Sequence, residues 1–132
     1  MVKNRNINPW TWQDQFGFSQ AIETSGHQRV LRCAGQTSVD ANGAPMHAGD
    51  MAAQIGQALD NLETVLKAAD MTLANVVRLN VYVTDIDAAL EHFGPMEARL
   101  AAAGIQPAIT ALGVARLFIP ELMVEMEADA VA

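Results

Sequence analysis

Ile105-Gln106-Pro107-Ala108-Ile109-Thr110-Ala111-Leu112-Gly113-Val114-Ala115-Arg116-Leu117, followed after a short break by Leu122-Met123-Val124-Glu125-Met126-Glu127-Ala128, is the stretch that decides the fold. Pro107 forces the residue before it into an extended conformation. From Ile109 to Leu117 the chain is rich in β-forming residues and almost uncharged. After Pro120, Leu122, Val124, Met126 and Ala128 alternate with Met123, Glu125, Glu127 and Asp129. That is period two, a strand with one apolar and one acidic face. These two strands are expected to close the sheet. Glu125 and Glu127 then stand on the same side, over either a working cleft or water.

Working outward, 132 residues suffice for one domain with a real core. No apolar run approaches the ~18 residues of a membrane span. Met1-Val2-Lys3-Asn4-Arg5-Asn6 leads into polar residues, so no signal peptide is read there. Cys33 is the only cysteine, which excludes an intrachain disulfide and a cysteine-based zinc site and fits a reducing cytoplasm. The net charge of −7 and the scattered Lys and Arg argue against a nucleic-acid binder, which needs a basic stripe. His27, His47 and His92 show no metal-ligand spacing. No metal site is expected.

Residues 1–15 form an N-terminal arm holding Trp10 and Trp12. These rings either cover a core edge or subunit contact, or act as an aromatic lid over a pocket. Phe16 to Thr24 reads as a strand, Ser25-Gly26-His27 as a turn, and Arg29 to Ala34 as the return strand of a hairpin. Asn42-Gly43 marks a loop. Gly49 or Asp50 caps a helix whose apolar stripe runs Met51, Ile55, Ala58, Leu59, Leu62, Val65, Leu66 and Ala69, with Gln54 off the stripe. Val76 to Val83 is a strand with Val77, Leu79, Val81 and Val83 on one face and Val76, Arg78, Asn80 and Tyr82 on the other. Thr84 or Asp85 caps a second helix to about Ala103, with Ala89, Leu90, Phe93, Met96 and Leu100 buried. Gly94-Pro95 kinks or splits it, and Gly104 stops it. The result is an α+β sandwich with both helices on one face of the sheet. The other face carries few charges and is expected to be covered by another copy of the chain.

Phe18-Ser19-Gln20-Ala21, Ala34-Gly35-Gln36, Gln54 through Asn61-Leu62 to Leu66, Val76-Val77 to Tyr82-Val83, and Pro107-Ala108 to Glu125-Met126-Glu127 fall in one order and spacing. In this the chain resembles the Rid superfamily, also called YjgF or L-PSP endoribonuclease-like, from about Phe16 onward. The resemblance implies a single chorismate-mutase-like domain with a mixed sheet. It also implies a homotrimer with three inter-subunit clefts. The best-known relatives hydrolyse reactive enamines and imines, such as 2-aminoacrylate, to a keto acid and ammonia without metal or organic cofactor. RNA cleavage, suggested by the older family name, sits badly with the acidic charge and the lack of a paired histidine.

The departures from that pattern shape the functional expectation. The deaminases follow Pro-Ala with an arginine that grips the substrate carboxylate; here the position is Ile109. Phe18 stands for a tyrosine, Ala34 for a serine, and Phe93 near a polar helix residue. The resemblance assigns Glu125 to positioning the hydrolytic water; the plainer reading is an interface or solvated glutamate. Thr110 and the backbone N–H groups near Gly35 remain polar. Arg32 or Arg116 could replace the missing anion anchor, and Trp12 could close the cleft. The expected ligand is a small molecule, with standard 2-imino acids poorly used. A non-catalytic binder of an apolar metabolite is the alternative. Cys33 has no activating partner in sequence and reads as core.

Overall fold

The computed structural model describes residues 1–132. The strands are β1 (Lys3–Ile7), β2 (Ala21–Ser25), β3 (Val30–Thr37), β4 (Val76–Val83), β5 (Ala108–Gly113) and β6 (Val124–Val131). The helices are α1 (Met51–Ala68), α2 (Ile86–His92) and α3 (Gly94–Ala102), with short 3₁₀ turns at Trp12–Phe16 and Leu73–Asn75. The fold is the α+β class the periodicities predict. No helix is long and apolar enough to cross a membrane.

Strand order in the main sheet is β3-β6-β4-β5, with only β4 and β5 parallel. A parallel pair needs a crossover, and α2 and α3 supply it. The two C-terminal strands therefore do not pair with each other, contrary to the expectation that they close the sheet together. β6 sits centrally between β3 and β4, whereas β5 forms an edge. Val124, Met126, Ala128 and Ala130 point into the core while Glu125, Glu127 and Asp129 are half-buried on the opposite face.

The N-terminal third departs further from expectation. The stretch from Phe16 to Thr24 is not one strand. A 3₁₀ turn ends at Phe16, and Gly17 takes φ 73°, a left-handed conformation that stops extension. β2 then pairs with β1, not with β3, so the predicted hairpin partner is wrong and residues 3–7 of the arm are a strand. Gly26 takes φ 71° between β2 and β3, and beyond it Gln28 and Arg29 donate to the carbonyl of Ala132, which aligns β3 with β6.

α1 carries the core. Asp50 caps it by accepting from the Ala53 N–H at 3.0 Å. Ile55, Leu59, Leu62 and Leu66 are essentially inaccessible and pack with Leu79, Val81, Val124 and Met126. A bulge between Val76 and Arg78 turns Val76 into this core and leaves Val77 half-exposed, reversing the face predicted for both. Helical propensity is broken at Gly94-Pro95, where α2 and α3 separate as the sequence suggests. Leu90, predicted buried, is 64% exposed at that break.

Gln54 is also not on the polar side of α1. It is fully buried, donates to the carbonyls of His47 (3.2 Å) and Glu121 (2.9 Å), and accepts from the Met123 N–H at 2.7 Å. It thereby ties the loop before β6 to the helix. Gln54→Leu keeps the volume but orphans these backbone groups, so it is expected to lower stability by about 2–4 kcal/mol. Urea unfolding should show a lower midpoint at unchanged m-value.

Candidate functional site

The sequence-predicted site residues fall on two faces of the sheet. On the helix side, Ser19 locks the segment before β2 onto the start of β5. Its hydroxyl donates to the Gln106 carbonyl at 2.6 Å, its N–H donates to that of Pro107 at 3.0 Å, and Ser19 bridges Ala108 in parallel. This brings Phe18 beside Ile109. Together with Phe16, Leu90, Phe93 and Met96 they line an apolar cavity of about 230 Å³. Glu97, in the first turn of α3, is the single non-apolar residue of the lining. Trp12 stands edge-on to Phe18, ring centroids 5.9 Å apart, and is half-exposed above this region. Phe16, Leu90, Met96 and Glu97 are not among the site residues that the sequence suggests. Leu90 and Met96 share the helical spacing of core positions, which hides a pocket lining inside an ordinary apolar stripe.

On the open face, Glu125 lies opposite Thr37 of β3 and Tyr82 of β4. The β3–β6 register slips between Cys33 and Gln36, which leaves Ala34 and Gly35 as an irregularity beside Glu125. A Cβ on Gly35 would sit 2.3 Å from Oε1 of Glu125, so the carboxylate occupies space only glycine leaves. The Glu125 carboxylate makes no hydrogen bond or ion pair within the chain, unlike its neighbour. Glu127 accepts from the Tyr82 hydroxyl at 2.5 Å and from Nδ2 of Asn80 at 3.1 Å. Thr110 accepts from the Arg78 guanidinium at 2.8 Å.

The basic candidates are placed differently. Arg32 is exposed on this face and pairs with Asp129 at 3.5 Å. Arg116 is exposed, and its Nε donates to the Leu117 carbonyl at 3.3 Å. Neither lines the apolar cavity. Cys33 is buried, and burial together with the Asp129 charge pushes its thiol up, away from the nucleophilic thiolate. No three His, Cys, Asp or Glu side chains converge as a metal site.

The Tyr82 and Asn80 hydrogen bonds hold the Glu127 carboxyl below the usual range, while its partner Tyr82 is pushed up. Ionised Glu127 therefore stabilises the fold above the ordinary carboxylate range, and this contribution is lost as pH falls through the lowered folded value. The Tyr82 contribution is complete below the ordinary phenol range and is lost as pH rises through the raised value. Tyr82→Phe is expected to flatten both limbs of a plot of urea midpoint against pH. An acid limb unchanged in the variant would remove the Tyr82–Glu127 bond from the account.

The fold is shared with known proteins. Residues 13–132 match the family model described as Endoribonuclease L-PSP. A RutC family protein of Pyrococcus horikoshii is 30% identical over 120 residues, covering 86% of this chain and 85% of that protein. Among solved structures, a protein of unknown function of the conserved Rid family from Yersinia pestis is 38% identical, with a TM-score of 0.87 and 98% of each chain covered. The YjgF gene product of E. coli is 28% identical, with a TM-score of 0.69 over 86% of this chain and 87% of that one. The chain belongs to the Rid family, also known as the YjgF or endoribonuclease L-PSP family.

Proposed function

We propose that the chain assembles into a homotrimer with small-molecule sites in the clefts between subunits. One subunit would offer the apolar cavity of Ile109, Phe18 and Phe93, and a neighbour the Glu125–Gly35 edge. The carrying observation is the division of these groups between the two faces of one sheet. A single protomer cannot bring them to one ligand. Cyclic assembly can, and it would also cover the half-buried face of Arg78, Asn80 and Tyr82.

In that cleft the chemistry is hydrolysis of an enamine or imine. An enamine first tautomerises to its imine; Glu125 then takes a proton from water as the oxygen bonds to the imine carbon and passes it to the nitrogen, and the carbinolamine hydroxyl gives its proton to the nitrogen as the carbon–nitrogen bond breaks, releasing ammonia and leaving a carbonyl. The free Glu125 carboxylate supports this role, as does its family correspondence. Because Ile109 holds the position of the carboxylate-gripping arginine, substrates without an essential carboxylate are favoured. A non-catalytic binder is the second reading, favoured by a cavity with only one polar residue in its lining.

Two measurements test the proposal. Light scattering at micromolar concentration is expected to give about three times the 14.1 kDa chain mass; a monomer would remove the shared cleft. Ammonia release is then followed across enamines with and without a carboxylate. Release from the carboxylate-free members supports the enzyme, and release from none leaves the binder.

A further inference from the structure

We infer that Phe118 of one subunit seats in the mouth of the apolar cavity of the next, so that a second copy of the chain supplies an aromatic wall to the ligand site. The inference rests on the shared-cleft reading and names the residue that the neighbour adds to its apolar side.

Phe118 is 94% exposed, more than any other aromatic residue of the chain. A singly exposed apolar side chain is ordinary, but this one is held out on a fixed stem. Before it, Val114 donates to the Val83 carbonyl at 2.8 Å and Leu117 is buried. After it, Leu122 donates to the Ile119 carbonyl at 3.0 Å and is itself buried. Gln54 grips Glu121 and Met123 just beyond, and Pro120 fixes its own φ inside the turn. The ring is thus presented outward by a loop tied down at both ends.

The cavity is the matching element. Phe16 and Leu90 on its lining are 49% and 64% exposed, so its mouth is an apolar surface open to solvent in the single chain. At about 230 Å³ it is smaller than the ~300 Å³ at which pockets for drug-sized ligands begin, and one ring suffices to close it. Aromatic anchors in apolar pockets carry much of the energy of subunit contacts. Charge agrees with the pairing. Arg116, two residues before Phe118, has no acidic partner, and Glu97, the one non-apolar lining residue, has no basic partner within the chain.

Chain continuity selects the same neighbour that offers Glu125. Phe118 lies seven residues before Glu125, a span of at most ~25 Å when extended, and the Ile119–Leu122 turn shortens it. Whichever subunit brings Glu125 to the cleft therefore brings Phe118 to its edge. Each chain gives one ring and receives one, so a closed cycle leaves no cavity open and no Phe118 exposed.

The test is a double-mutant cycle on assembly, read as the dissociation constant from sedimentation equilibrium at one fixed, mild urea concentration. Phe118→Ala is expected to raise that constant by at least about tenfold, and Phe118→Leu by less. The protomer's own fold should be untouched, since the ring is exposed within its chain. Leu90→Ala should weaken assembly less than Phe118→Ala. Combined with Phe118→Ala it should fall short of the product of the two single effects by at least about threefold, because the shared contact is lost only once. Unchanged assembly in Phe118→Ala, or single effects that multiply in full, overturns the inference. Its failure is separable from that of the shared cleft. A trimeric wild type with a silent Phe118→Ala keeps the cleft and loses this contact. Coupling in an assembly of another size keeps the contact and loses the trimer. A monomeric wild type overturns both.

Discussion

Glu125→Gln is expected to reduce ammonia release from the best carboxylate-free enamine by about 10²–10⁴-fold, the usual contribution of a positioned general base. The amide keeps the size and hydrogen-bonding reach of the carboxylate but cannot accept the proton of water. KM should change little, since the proposed cleft sets the ligand body against another subunit's apolar cavity. Gly35→Ala tests the same group from the backbone side. A methyl there would stand 2.3 Å from Oε1 of Glu125, and the carboxylate, being the end of a flexible side chain, must swing away. Folding should survive while turnover falls. Equal ammonia release by wild type and Glu125→Gln in a single-turnover assay would take Glu125 out of the mechanism. The binder reading makes the opposite forecast: no turnover to lose, and weaker ligand retention when Phe18 or Ile109 is cut to Ala.

The readable parts of the chain were those where local pattern and tertiary role agree. Val124 to Asp129 alternates strictly, so its buried face could be read residue by residue. The stripe of α1 was equally plain, except at Gln54. A glutamine inside a helix is ordinarily solvent-facing; only the loop at Glu121–Met123, distant in sequence, gives it partners. Strand pairing was the least legible feature. β2 and β3 are close in sequence and joined by turn residues, yet β2 finds β1 and β3 finds β6. Local chemistry specifies that a turn occurs, and the partner is chosen by the whole sheet.

The candidate site shows the same limit in another form. Ile109, Phe18 and Phe93 were named from their order along the chain, and the Ser19 bonds to residues 106 and 107 do bring the first two together. Motif order carries no information about which face of a sheet a residue takes. Ile109 lies opposite Leu79 and turns toward the helices, whereas Thr110 lies opposite Asn80 on the other side with Glu125. One residue of register separates the two environments. The acidic rim at Glu97 had no sequence signal, because a glutamate in the first turn of a helix is explained by the helix dipole alone.

Ile109→Arg should have the second large effect, and in the direction of gain. Losing a charged partner to a buried carboxylate costs on the order of 3–5 kcal/mol, so wild type should hydrolyse 2-aminoacrylate about 10²–10⁴-fold more slowly than an arginine-bearing relative. Under the proposed correspondence, the substitution puts a bidentate donor where the deaminases carry their arginine. It also puts a guanidinium into a cavity walled by Phe18, Phe93 and Met96, with Glu97 as the nearby counter-charge. Stability should fall by about 1–3 kcal/mol, moderated because β5 is an edge strand from which a long side chain can reach water. If the arginine reaches the ligand, 2-aminoacrylate hydrolysis should rise by at least about tenfold. Ile109→Lys should gain less, since an ammonium grips a planar carboxylate at a single point. Glu97 competes for the new cation, so Ile109→Arg combined with Glu97→Gln should exceed Ile109→Arg alone. Steady-state kinetics on 2-aminoacrylate generated in the assay would measure the series. No gain in either arginine variant, with the trimer intact, would mean that Ile109 does not face the reacting group and that the cleft is assembled from other residues.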